Sequence, residues 1–439
     1  MEKTARSEAK TWLLAFDLTV SAESPIIALT IIRILFSEYS QEGSAVSAPI
    51  ARPKSSRIDG VQFLRFIAFL TVFLVHGRIW CFWGDWPAHG VGALAVQFFI
   101  LLSGMMTGYA GCGQEEPLTG RSVLRFMGRK LKKLYPLYLW TVVFSLLWSE
   151  IPMGFSTGTL HSISHNVPDA LTAPAGVTIP SGTALIDAPG QLLRSVLLIQ
   201  AWFEKGHFSY NGVSWFLSTL MFLYLLSLPM LKLLHVLNRQ PKRRLLLGGL
   251  LAASLGYTMI YCALFSQNSF YVYTFPPARI GEYLAGMILG FLLRLRRQQA
   301  APAQKPSPSF TLLEAAALAC WFGTWFMPVS VWGSTILCWL PANLFLLLVF
   351  TQERGWVSRL FACRPLKWLG DISFECYLLH TIIFTLYLEH THIDGSVSTT
   401  GSLLSLLLCL LLTVGLAGLI HRGATPAPQT ESNNTRLHS

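Results

Sequence analysis

Charge is what this sequence has least of. Only 13% of its 439 residues are Asp, Glu, Lys or Arg, against 52% hydrophobic, where a soluble domain carries about 25% charged residues. With a mean hydropathy of +0.49, that shortage excludes an ordinary water-soluble enzyme and places the chain in a bilayer. The eight cysteines (81, 112, 262, 320, 338, 363, 376 and 409) contain no C-x-x-C and no clustered spacing, which excludes a disulfide framework and a cysteine-based zinc site. His161-x3-His165 has metal-ligand spacing without a third ligand, and His390-Thr391-His392 is equally short of partners, so no metal is expected. A signal peptide is missing as well. Glu2, Lys3, Arg6, Glu8 and Lys10 open the chain and Asp17 and Glu23 follow, so no apolar core of the required kind forms there. The segment "SPIIALTIIRILF" (24–36) is short and broken by Arg33, and reads as an interfacial helix within a leader covering 1–56.

What is present is a series of apolar runs. Ten are long enough to cross, at about 61–82, 90–110, 134–151, 213–236, 245–266, 277–293, 310–328, 332–350, 371–388 and 402–420, each near the ~20 residues a bilayer core requires. The expectation is an all-α polytopic membrane protein of about ten transmembrane helices, with a membrane domain over 57–421 and a disordered tail over 422–439. The net charge of +11 is not a nucleic-acid footprint, because the basic residues sit in blocks between the spans. Alternate connections hold 22 Lys and Arg, and the opposite set holds four: Arg78, Arg194, Lys205 and Arg279. Under the positive-inside rule both termini face the cytoplasm. The long outer loop (152–212) carries an amphipathic piece, "QLLRSVLLIQAWF" (191–203), suited to cover the outer mouth.

Within the spans, a few polar residues stand out. In "RFIAFLTVFLVHG" (65–77), Arg65 and His76 are eleven residues apart. At 100° per residue they share one helix face, separated by roughly 16 Å. Both are costly in lipid unless that face meets protein or water, or the two side chains snorkel to opposite interfaces. Arg129, Lys130, Lys132 and Lys133 anchor the third run under the positive-inside rule, and they also suit an anionic phosphate-bearing substrate. Ser103 and Gly104 with Gly108 form a small-residue face for close helix packing. Arg279 and Glu282 stand three apart, as an ion pair along one helix or as polar contacts for an acceptor. His380 lies inside a span on the face of Phe374 and Tyr377.

Six ordered blocks carry a resemblance. "RIDGVQFLRFIAFLTVFLVH" (57–76), "VQFFILLSG" (96–104), "FMGRKLKKLYPLYL" (126–139), "WFLSTLMFLYLL" (215–226), "RIGEYLAGMILG" (279–290) and "WLGDISFECYLLH" (368–380) resemble the acyltransferase-3 family of integral membrane acyltransferases. The resemblance implies transfer of an acyl group, commonly acetyl, from cytosolic acyl-CoA to a hydroxyl of a carbohydrate or similar acceptor. It implies acyl-CoA as co-substrate, no bound cofactor, and membrane lipid as surroundings. His76 then acts as general base, and Arg65, Arg129, Lys130 and Lys133 bind the donor. Ser103, Trp215, Arg279, Glu282 and His380 serve the acceptor or support the site. Two departures stand out: Lys130 and Lys133 replace an R-x-x-R pair, keeping charge but losing the planar fork, and Leu220, Met221 and Phe222 replace polar residues. A transporter or flippase using Arg65 and His76 in its path is the alternative.

Overall fold

In the computed structural model, residues 58–80, 91–113, 117–150, 188–299, 306–326, 332–391 and 399–424 are described. The leader, its segment 24–36, His161, His165, His392 and the tail from 425 lie outside the described residues, as do the side chains of Lys133 and His390. Among the described residues there is no strand. Thirteen α-helices follow one another: α1 Gln62–Trp80, α2 Val91–Gly111, α3 Gly120–Glu150, α4 Ala188–Val196, α5 Trp215–Asn238, α6 Arg243–Leu264, α7 Ile280–Gln299, α8 Pro308–Gly323, α9 Trp332–Phe350, α10 Trp356–Phe361, α11 Arg364–Asp371, α12 Ser373–Thr391 and α13 Thr399–Ala424. Backbone groups in hydrocarbon must be satisfied within the segment, and helices do this.

The described parts of all ten apolar runs fall on helices, yet the expected count of ten spans is not confirmed. Among the described residues six helices are long and apolar enough to cross, or seven if the bent pair α11–α12 counts as one span. Part of the difference is local: the apolar part of α3 runs over Leu134–Leu147 behind its basic front, and among the described side chains that of α9 is Ile336–Phe350. Helix α7 loses apolar length to Glu282 near one end and to Arg294, Arg296 and Arg297 near the other. The outward faces are apolar, as lipid contact demands. Leu404, Leu411 and Leu419 on α13 are 62%, 61% and 67% exposed.

Helices α2 and α7 form the densest seam. A Cβ at Gly104 or Gly108 would strike the backbone of Tyr283 or Met287, and one at Gly286 or Gly290 the backbone of Leu101 or Met105. Two G-x-x-x-G stripes therefore face each other, so the small-residue face read from the sequence does bring two backbones together. The start of α1 is tied to the far half of the chain. Gly60 N donates to Glu353 Oε1 at 2.8 Å, and Lys367 Nζ lies 2.9 Å from Asp59 Oδ2. The 60° bend between α11 and α12 follows Gly370, whose missing side chain lets it sit against the Gln62 carbonyl. These ties fix the face of α1 that carries Arg65 and His76.

Candidate active site

Near the start of α1, Arg65 Nη1 donates to Gln62 Oε1 at 3.2 Å, and Gln62 Nε2 donates to the Ile58 carbonyl at 3.1 Å. Three turns along, His76 Nδ1 lies 2.7 Å from His380 Nε2 on α12. The two rings stack at 5.0 Å between centroids and 8° between planes. His380 Nδ1 in turn lies 3.3 Å from the Cys376 carbonyl. A carbonyl only accepts, so this contact puts the hydrogen of a neutral His380 on Nδ1. Its Nε2 then accepts from His76 Nδ1–H, and His76 Nε2 is left as a bare basic nitrogen. An imidazole oriented this way can take a proton from a hydroxyl. Arg65 and His76 are each engaged by a neighbouring side chain.

A cavity of about 690 Å³ opens beside the Arg65 end. Its basic side is Arg65, Arg129, Lys130 and Lys132, and it also meets Asp371, Glu375 and His421. His421 Nδ1 pairs with Glu375 Oε1 at 2.8 Å. Leu220 lines the wall, so the apolar substitution in that block shapes the cavity directly. Ser103 and Tyr224 also line it, with their hydroxyl oxygens 2.9 Å apart. Lys130 Nζ stands 4.6 Å from the Tyr224 ring centroid and 5.4 Å from that of Phe126. Deeper in, Phe99, Phe216 and Tyr377 line the cavity and pack ring to ring, Phe99 at 6.1 Å and 6.2 Å from the other two, Phe216 and Tyr377 at 5.6 Å. Tyr377 touches the His380 ring at 6.0 Å. Tyr377 of this aromatic wall thus links the cavity to the histidine pair, which is not part of the cavity lining.

The remaining predicted residues form a separate cluster. Arg279 and Glu282 are 1% and 0% exposed and paired at 3.0 Å, so the ion-pair reading holds for them. Gln97 Nε2 donates to the same Glu282 oxygen at 2.7 Å. The chain of bonds continues through Asn343 Nδ2 to Gln97 Oε1 at 2.9 Å and from Trp321 Nε1 to Asn343 Oδ1 at 2.8 Å. It joins α7, α2, α9 and α8 in one buried polar network, in which Arg279 Nε and Nη2 and Glu282 Oε2 make no hydrogen bond. Trp215 packs on Tyr273 at 4.7 Å, and Arg279 lies over that same ring at 5.6 Å. None of the three lines the cavity. Tyr224, Tyr377 and the Glu375–His421 pair were not singled out by sequence for roles of their own. Their one sequence signal is a polar group in a block otherwise apolar. Among the described residues, no group of three or more His, Cys, Asp or Glu is placed to hold a metal ion.

A family model described as an acyltransferase domain matches residues 58–422. The chain belongs to this acyltransferase family. No curated protein and no solved structure matches the chain. The match covers both the basic cavity and the histidine pair, and with the apolar helices it makes the protein an integral membrane acyltransferase. The family gives no support to the transporter alternative.

Proposed function

We propose that the protein moves an acyl group, acetyl in the first instance, from acyl-CoA to a hydroxyl of a carbohydrate or similar acceptor. One observation carries the reading: a single helix, α1, has a cation in a basic cavity at one end and an oriented imidazole at the other. A coenzyme A thioester has that polarity. Its phosphates need cations, for which Arg65, Arg129, Lys130 and Lys133 are the candidates, while its reacting carbon is remote from them. Coenzyme A is cytosolic, so the cavity end faces the cytoplasm and so do both termini. The excess of Lys and Arg on those connections supports this orientation.

His76 Nε2 is the base that takes the acceptor proton as its oxygen attacks the acyl carbonyl, and His380 positions it. Removing such a base costs ~10²–10⁴ in rate. Trp215, Arg279 and Glu282 hold the core on the acceptor side without touching the reacting atoms. Membranes from cells expressing the protein test the reading when given acetyl-CoA labelled in its acetyl group. Release of free coenzyme A thiol, with label appearing in glycan or lipid hydroxyl esters, is the expected result. Uptake of neither signal above membranes lacking the protein overturns it.

A further inference from the structure

The Phe99–Phe216–Tyr377 ring wall lines the cavity, and its Tyr377 also packs on His380, whereas neither His76 nor His380 is part of the cavity lining. An acyl group delivered to the cavity has to cross that wall before an acceptor activated by His76 can receive it. Ser103 follows Phe99 of this wall by four residues on α2 and so shares its helix face, and both line the cavity. Its Oγ is 2.9 Å from Tyr224 Oη, and the Lys130 ammonium sits over that phenol ring at 4.6 Å. All three residues line the cavity.

The same helices contain an internal control. Ser227 Oγ and Tyr283 Oη are 2.8 Å apart, and Tyr283 Oη donates to Thr107 Oγ1 at 3.2 Å. That group is buried in the helix seam, with Ser227 and Tyr283 both 0% exposed, and satisfying hydroxyls away from water explains it fully. Burial does not explain the Ser103 pair. Ser103 is only partly buried and faces a cavity where water can bond it, yet it is held on a tyrosine that carries a lysine on its face. A serine hydroxyl, a phenol to relay its proton and a fixed cation beside the phenol are the parts of an activated nucleophile.

We propose that Ser103 is an acyl carrier, a conclusion that rests on the acyltransferase reading above. Ser103 Oγ attacks the thioester carbonyl, the new C–O bond forms, and the C–S bond breaks. The Oγ proton passes to Tyr224 Oη while the phenol proton goes to the departing sulfur, so coenzyme A leaves as its thiol and Tyr224 ends unchanged. Lys130 offsets the negative charge that develops on the phenol during this exchange. In the second half, the acceptor hydroxyl gives up its proton to His76 and its oxygen attacks the Ser103 ester. The C–Oγ bond then breaks and His76 returns the proton it took to the departing Oγ, so Ser103 ends as its hydroxyl and His76 as the neutral imidazole. The carrier lets coenzyme A leave before the aromatic wall opens, so the two sides of the membrane are never connected.

The test uses the full chain in lipid nanodiscs, acetyl-labelled acetyl-CoA without acceptor, an acid quench and peptide mass spectrometry. The expected result is an acetyl ester on the peptide holding Ser103 in both wild type and His76→Ala, and in membranes that contain the acceptor the ester should persist in His76→Ala and be discharged in wild type. Ser103→Ala should show no label, Ser103→Cys should carry acetyl as a thioester, and Tyr224→Phe should acquire label at least tenfold more slowly. Coenzyme A release is measured in parallel in membranes that contain the native acceptor. Normal release by wild type with no label on wild type or His76→Ala overturns the carrier and leaves the acyltransferase reading standing. Near-normal release by Ser103→Ala does the same. No release by wild type overturns both.

Discussion

At one end of α1, Arg65 is held by Gln62 and faces a cavity of about 690 Å³ shared with other cations and with carboxylates. At the other end, His76 is stacked on His380, which is itself ringed by Phe69, Phe73, Tyr377 and Phe384 within 6.3 Å. The first end suits a large, hydrated, multiply charged molecule whose binding relies on charge. The second suits one directed proton transfer, with water kept out so that a single hydrogen-bond geometry persists. Putting both on one helix fixes their separation at three turns. Binding and chemistry are therefore separable by mutation, and each change below tests whether that separation is real.

The largest effect is expected at the seam that holds α2 in place for both ends. Gly108→Ala pushes a methyl group into the Met287 backbone, which no side-chain rotation relieves. We expect destabilisation of about 3 kcal/mol or more, seen as loss of monodisperse protein in size-exclusion chromatography. Normal yield and thermal stability would mean that the seam is looser than its geometry.

His380→Ala acts only on the chemical end. It removes the group that fixes the His76 tautomer, and kcat should fall by about 10² or more, with donor KM nearly unchanged. His380→Gln, which retains an acceptor for His76 Nδ1–H, should recover part of the rate. A rise in donor KM equal to the fall in kcat would erase the distinction between the ends.

Changing Lys130 and Lys133 together to Ala acts on the binding end. Each lost phosphate contact weakens donor binding by about 1 kcal/mol or somewhat more, giving a KM for acetyl-CoA raised roughly ten- to a hundredfold. Arg at both positions should preserve or improve affinity. Where Lys130 also serves Ser103, the Lys130 change alone should lower the acylation rate, whereas Lys133→Ala alone should not. Equal loss in the Ala and Arg pairs would point to a purely topogenic role.

The smallest change concerns the wall between the ends. Tyr377→Phe keeps the ring but deletes the hydroxyl that donates to the Val213 carbonyl at 3.0 Å. A loss of about 1 kcal/mol in stability, with kcat changed no more than a few-fold, is expected from thermal unfolding and coenzyme A release. A large gain in unproductive acetyl-CoA hydrolysis would show that the hydroxyl, and not the rings, keeps the wall shut.

Local periodicity made much of this visible from sequence. Arg65 and His76 are related by helix geometry alone, and Ser103-Gly104 with Gly108 by the spacing of small residues. What lay 304 residues apart was not visible: nothing in "LVHG" names His380 as its partner, although a histidine inside a span had to find one. Tyr224 was hidden for a similar reason. In "WFLSTLMFLYLL" it reads as one more apolar position, and only the approach of α2 and α3 turns its hydroxyl toward Ser103 and its ring toward Lys130. The i, i+3 pair of Arg279 and Glu282 was legible, but its complete burial was not, because Gln97 and Asn343 come from other helices. The count of ten spans, read on apolar runs alone, is not confirmed: α3 and α7 each devote part of their length to basic residues.

The measurement that tests the division most directly pairs donor binding with turnover in Arg65→Ala and His76→Ala. Both proteins would be purified in nanodiscs, with acetyl-CoA affinity taken from a binding isotherm and rate from coenzyme A release. His76→Ala should bind donor with wild-type affinity and release coenzyme A about 10²–10⁴-fold more slowly. Arg65→Ala should lose affinity at least tenfold, while its rate at saturating donor falls far less than that of His76→Ala. Near-normal release by a folded His76→Ala protein, or equal loss of affinity in both variants, would contradict the account.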